Sequence, residues 1–192
     1  MFACACMYGS RIGYYQGDPL KLMEDCAVLG PTIFPSVPRL YNKIYGKIKG
    51  QFDALTGCKR WLVDSGVSSK QHYLNQDAAV THGCYDKLIF GKIKNLLGGK
   101  VRLMITASAP IDHNVLDFLQ VCFCCPMLEG YGLSESSGAA SFTFSEDPLS
   151  GHVGGPVKSV KFRLKDVPEM QYLATDKPYP RGELCMKGPI VF

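Results

Sequence analysis

Two apolar runs, Val101–Thr106 and Phe123–Leu128, limit what this chain can fold into more than any other feature. Each empties into a short loop of small residues. Thr106-Ala107-Ser108-Ala109-Pro110 ends the first, and Glu129-Gly130-Tyr131-Gly132-Leu133-Ser134-Glu135 follows the second. Between them, Asp112 is placed to cap a helix over roughly 113–121, with Val115, Leu116, Phe118 and Leu119 on its apolar face. Strand, helix, strand between 101 and 129 is the signature of neighbouring parallel strands. In such a sheet, ligands bind in the loops at the carboxyl ends of the strands.

The residues in these two loops suit a nucleotide. A tyrosine between two glycines has an uncrowded backbone, and its ring can lie flat on a purine, a contact worth about 1–3 kcal/mol. Ser134 offers a hydroxyl to a phosphate oxygen. Glu135 offers a carboxylate to magnesium, an ion that takes few carboxylates and keeps several waters. Ser108, Ala109 and Pro110 present small side chains to the other face of the ring. The same residues also suit an ordinary strand-to-helix turn, and from spacing alone both readings stand.

The rest of the chain repeats the α/β theme. Apolar spacing predicts a helix over Leu20–Leu29, started by Asp18-Pro19 and stopped by Gly30-Pro31. Thr32–Val37 reads as a strand, although Pro35 is awkward in a sheet centre. Pro38–Ile48 reads as an amphipathic helix with Leu40, Ile44 and Ile48 on one stripe. Within 51–99, Trp61-Leu62-Val63 and Leu88–Leu97 look like parts of two helices. The polar stretch 64–83 between them looks like a surface insertion, and Gly98-Gly99 closes the region. Beyond Ser141, Val157–Leu164 alternates apolar with basic residues as a half-exposed antiparallel strand does. A turn over Asp176–Gly182 leads to a last strand, Glu183–Lys187. The expected fold is α/β: a mostly parallel sheet with flanking helices, plus antiparallel strands near the C-terminus.

Composition narrows the function classes. With 46% apolar and 20% charged residues the chain can bury a core and is not disordered. A net charge of +4 is too mild to indicate nucleic acid as a partner. The nine cysteines have no zinc-like spacing, so Cys122, Cys124 and Cys125 are expected as buried, reduced thiols. No run of eighteen apolar residues exists, and the N-terminus lacks the basic region of a signal peptide. Both ends are apolar and uncapped, as in a piece of a longer chain. His72, His82 and His113 are expected at the surface.

Taken together, the motifs resemble those of the AMP-forming acyl-activating enzymes, and within them the long-chain fatty acid–CoA ligases. The Tyr-Gly-x-Thr/Ser-Glu pattern is met by Tyr131-Gly132-Leu133-Ser134-Glu135, with serine where threonine is usual. The Gly/Ala-Ala-Pro loop is met by Ser108-Ala109-Pro110, and a later Gly-Glu-Leu pattern by Gly182-Glu183-Leu184. Ile12–Asp18, Pro31–Leu40 and Gly151-His152-Val153-Gly154-Gly155-Pro156 resemble the long-chain branch in particular.

The resemblance implies a partial AMP-binding domain over 1–192 with a helical, polar insertion at 51–99. It implies a ligase that joins a long-chain fatty acid to coenzyme A through an acyl-adenylate, using ATP and Mg²⁺. Ser108, Ala109, Pro110, Gly130, Tyr131, Gly132 and Ser134 would hold ATP or AMP, Glu135 the metal, and Gly154 and Gly155 the wall of the acyl pocket. His152 would pack rather than catalyse. Such ligases work at the cytosolic face of the endoplasmic reticulum or mitochondrial outer membrane, held there by segments that this chain does not contain. The family's Ser/Thr/Gly-rich phosphate loop, its Thr-Gly-Asp segment and its C-terminal lysine have no counterpart in these 192 residues, so the chain is expected to be inactive in isolation. Two alternatives stay open: a non-catalytic module that binds nucleotide or a partner, and an enzyme that adenylates another carboxylic acid.

Overall fold

The computed structural model describes residues 2–18 and 21–192. Three strands, β1 (Ile33–Ser36), β2 (Leu103–Thr106) and β3 (Met127–Leu133), run parallel. Antiparallel strands β4 (Gly138–Phe142) and β5 (Gly155–Pro156) extend them to a five-stranded sheet in chain order. A separate antiparallel pair is formed by β6 (Lys161–Lys165) and β7 (Glu183–Lys187). The α/β class with antiparallel strands toward the C-terminus is the one expected.

Helices α1 (Phe2–Met7) and α2 (Leu22–Leu29) come first, and α3 (Pro38–Asp53) and α4 (Gly57–Asp77) follow β1. Next come α5 (Gly83–Tyr85), a π-turn at Asp86–Phe90 and α6 (Gly91–Lys94); α7 (His113–Phe123) joins β2 to β3. Pro38 opens α3, where its missing N–H costs nothing. The helix buries Tyr41, Ile44, Ile48 and Phe52, a stripe at spacings of three and four. The Tyr41 hydroxyl lies 2.7 Å from the Phe34 carbonyl and 3.2 Å from that of Ile105, so α3 is bolted across β1 and β2. Asp112 caps α7 as expected, its Oδ1 accepting from the Asn114 amide at 2.8 Å. Phe118 of α7 meets Tyr45 and Phe52 of α3 edge-on, at 5.0 and 5.9 Å between ring centroids.

Pro35 causes no conflict, because β1 is the edge of the sheet. Several expectations need correction. The polar stretch 64–83, expected as a surface insertion, is mostly helix with a buried face. It continues α4, which buries Val63, Gly66, Lys70 and Leu74 at turn-to-turn spacing. Phe123 belongs to α7 rather than to a strand, and Cys124 closes that helix in the left-handed conformation at φ 53°. The strand after it begins only at Met127, beyond Pro126. Glu129–Leu133 is strand, not loop, because β4 folds back and pairs with it. The basic strand is shorter than the alternation suggests, starting at Lys161 after the buried Val160. Helix α2 begins at Leu22 with Lys21 as its uncapped N-cap. Pro19 and Leu20 lie outside the described residues. His82 is half-buried rather than at the surface, and its Nδ1 has no hydrogen-bond partner. Cys122, Cys124 and Cys125 are buried free thiols, as expected.

Candidate functional site

Strands β2 and β3 are hydrogen-bonded neighbours, with Thr106 level with Glu129. Ser108, two residues beyond Thr106, and Gly130, one beyond Glu129, therefore leave the same edge of the sheet side by side. Ser108 takes φ 77°, which turns the chain sharply, and Ser108, Ala109 and Pro110 are all exposed.

Past Glu129 the two strands diverge in character. Gly132 packs so closely on β4 that a Cβ there would stand 1.8 Å from the Gly138 carbonyl oxygen. Gly130 faces the Phe142 ring, whose nearest carbon would be 2.6 Å from a Cβ. These glycines are therefore demanded by the return of β4, besides leaving room around Tyr131. Tyr131 is half-buried opposite Ser141, and its ring and hydroxyl have no partner among the described residues. Ser134 and Glu135 follow on an exposed 3-10 turn, and neither side chain is engaged by another described residue.

That turn is braced twice. The buried Ser136 hydroxyl accepts from the Leu133 amide at 2.9 Å and has the Gly138 carbonyl 2.8 Å away. The last residues of the chain cross over it. The Phe192 amide donates to the Glu135 carbonyl at 3.0 Å, and the Ser137 hydroxyl donates to the Ile190 carbonyl at 2.9 Å.

Gly155 pairs with Phe142, which itself pairs with Gly130, so the three stand in one row across the sheet. Gly154 has φ 71°, and a Cβ there would run into the Phe142 carbonyl oxygen at 1.8 Å. His152 fixes this segment. Its Nδ1 accepts from the Gly154 amide at 3.0 Å, which leaves the proton on Nε2, 3.3 Å from Asp147 Oδ2. The imidazole is thus a crossbar within its own loop. Sequence reasoning passed over Glu129. It is buried at the head of the site, and burial pushes its carboxyl up, opposed by the Ile111 amide and by His152.

The donor set fits a magnesium–nucleotide: a free ring for the base, a free hydroxyl, and an unpaired carboxylate on an open surface. Two buried hydroxyls without partners, Thr106 Oγ1 and Ser141 Oγ, also lie in the strands beneath these loops. A cavity of about 340 Å³ lies elsewhere, between α3, α4 and α7, where Arg60 is already held by Asp53 and Asp64. Among the described residues no group of acidic, histidine and cysteine side chains could by itself hold a metal, so any ion here needs phosphate or water ligands as well.

The sequence model of the AMP-binding enzyme family matches residues 1–192. This chain belongs to the AMP-binding enzymes. It is 47% identical over 184 residues to long chain acyl-CoA synthetase 7, peroxisomal, of Arabidopsis thaliana, covering 96% of this chain and 26% of that protein. It is 43% identical over 185 residues to long-chain-fatty-acid–CoA ligase 1 of Homo sapiens, with the same coverages of 96% and 26%. The chain thus spans about a quarter of the length of these relatives. Among solved structures, the A-PCP didomain of carboxylic acid reductase from Segniliparus rugosus in complex with AMP superimposes with a TM-score of 0.64 at 26% identity. That match covers 93% of this chain and 21% of the didomain. An AMP-binding enzyme therefore has its Tyr-Gly-Leu-Ser-Glu segment on β3 and the following turn, beside the loop that leaves β2. No helix among the described residues is long and apolar enough to cross a membrane.

Proposed function

We propose that this chain is the adenylate-binding part of a long-chain fatty acid–CoA ligase. The observation that carries the reading is the adjacency of the exposed Ser108-Ala109-Pro110 loop to the unengaged side chains of Tyr131, Ser134 and Glu135, beyond the paired ends of neighbouring parallel strands. The identity to proteins named as long-chain acyl-CoA synthetases supports the choice of substrate.

In this reading ATP and a long-chain fatty acid give an acyl-adenylate, and coenzyme A then displaces AMP. Tyr131 stacks on the adenine, with Gly130 and Gly132 keeping the backbone close and Ser108, Ala109 and Pro110 lining the opposite side. The Ser134 hydroxyl donates to a phosphate oxygen. Glu135 would hold Mg²⁺, which when bound neutralises phosphate charge so that a weak carboxylate nucleophile can approach. Gly154 and Gly155, fixed by the His152 crossbar, form part of the acyl wall. The work site is the cytosolic face of intracellular membranes, reached through segments other than these 192 residues.

The test is a chimera of the Arabidopsis relative in which these residues replace their counterpart. It should form acyl-CoA from a long-chain fatty acid, ATP and coenzyme A, and Tyr131→Ala or Glu135→Ala should lower the rate at least tenfold. Equal rates for parent chimera and both variants would refute the site. A chimera that folds and binds AMP but activates only short or aromatic acids would refute the substrate class.

A further inference from the structure

On helix α4, Lys70 is a lysine almost wholly shielded from solvent. Its side chain is 1% exposed on the inner face of α4. Its Nζ donates to Asp86 Oδ1 at 2.5 Å, lies 4.6 Å from the centre of the Phe90 ring, and is 3.0 Å from Cys124 Sγ. The carboxylate and the ring account for a buried ammonium. The thiol is not needed for that, yet it stands within hydrogen-bond reach of the amine as a free cysteine.

We propose that Lys70 and Cys124 form a modification site, at which peroxide joins the amine nitrogen to the thiol sulfur through a single oxygen atom. Geometry selects that product over a direct sulfur–nitrogen bond. A direct bond needs the atoms to close to little more than half their present separation, whereas an inserted oxygen leaves them almost where they stand. Both partners are held in place: Cys124 by its left-handed position at the end of α7, Lys70 by Asp86 and Phe90.

The step balances with hydrogen peroxide as oxidant. One peroxide converts the thiol to a sulfenic acid and leaves as water. The Lys70 ammonium gives its extra proton to the Asp86 carboxylate, in contact with it. A second peroxide then takes up the remaining oxidation: the N–O bond forms, one N–H and the sulfenic O–H break, and two waters leave. Sulfur and nitrogen each lose two electrons, and each peroxide gains two. Asp86 is 19% exposed, which gives small oxidants a way in while bulkier thiol reagents stay out. Burial also pushes the Cys124 thiol up, against the lowering effect of Lys70, so the reaction is slower than at an exposed thiolate.

The experiment uses the 192-residue chain as it is. Folded protein is exposed to graded hydrogen peroxide, quenched, unfolded, digested without reduction and analysed by mass spectrometry. The expected product joins the peptides carrying Lys70 and Cys124, with one oxygen gained and two hydrogens lost, and dithiothreitol separates them. The exposed Cys58 and Cys84 report the oxidant dose. Lys70→Arg keeps a cation but removes the amine, and should abolish the joined species while Cys58 and Cys84 oxidise unchanged. The inference is overturned if doses that oxidise Cys58 and Cys84 fully give no joined peptides. It is overturned equally if Cys124 appears instead in a disulfide with Cys122 or Cys125, or joined to Lys70 without the oxygen.

Discussion

Ser136 and Leu133 are locked by a reciprocal contact: the serine hydroxyl lies 2.9 Å from both the amide and the carbonyl of Leu133. This closes the turn that holds Ser134 and Glu135 outward. Ser136→Ala leaves the part-buried Leu133 amide and Gly138 carbonyl without that partner, at a cost of roughly 1 kcal/mol. Urea unfolding should show that loss, and AMP affinity measured by calorimetry should fall with it. Unchanged stability would mean that the bond is dispensable.

Glycine substitutions should split by position. Gly132→Ala puts a methyl group 1.8 Å from the Gly138 carbonyl, a backbone atom that cannot step aside. The β3–β4 pairing should break, destabilising the chain by more than about 4 kcal/mol or preventing folding. Gly46→Ala meets nothing within 4 Å on the exposed side of α3. It should stabilise by about 0.5–1 kcal/mol. Circular dichroism melts of the two variants should move in opposite directions.

Removing either half of the Lys70–Asp86 pair should not be equivalent. Asp86→Asn strands a buried ammonium and should cost about 3–5 kcal/mol. Lys70→Met leaves Asp86 partly exposed and still accepting from the His82 amide at 2.7 Å, so its cost should be nearer 1–2 kcal/mol. Burial alone would raise the Asp86 carboxyl, but the bonds from Lys70 and His82 outweigh it and hold it below the ordinary range. A carboxyl lowered on folding stabilises fully above its unfolded pKa of about 3.9 and loses that contribution as pH falls through the folded value. The gap between wild type and Asp86→Asn should therefore stay constant from neutral pH to about pH 4 and narrow below it. A gap that narrows on the alkaline side instead would contradict this.

The chain alone should bind nucleotide without turning it over. Isothermal titration with AMP should detect binding that Tyr131→Ala weakens roughly tenfold or more, in line with the 1–3 kcal/mol of one base stack. Acyl-CoA formation by the same sample should stay at background, since these residues carry no glycine-rich phosphate loop.

What could be read from sequence was whatever depends on local spacing. The Asp112 cap, the stripe of α3 and the buried strand β2 each follow from a few neighbouring residues. Helix α4 was read only at Trp61-Leu62-Val63, and its continuation escaped because one of its core positions is filled by Lys70, and a stripe of Val63, Gly66, Lys70 and Leu74 carries almost no hydropathy signal. Only a partner sixteen residues away, Asp86, makes that lysine a core residue. The strand character of Gly130–Leu133 was hidden for a similar reason. Glycines usually weaken a strand, and these are accepted because β4 comes back against them. At the site, the loops could be read but the brace from Phe192 could not, since nothing near Glu135 announces it.

That brace sets an order of events during synthesis. The β2–α7–β3 unit and the β4 return are complete in the chain well before Ile190 and Phe192 are made. Domains form from the N-terminus as the chain emerges. On the ribosome the strands can therefore pair and the Ser134–Ser136 turn can form while it still lacks its final clamp. A protein cut just before Ile190 would keep its sheet intact and hold Glu135 loosely.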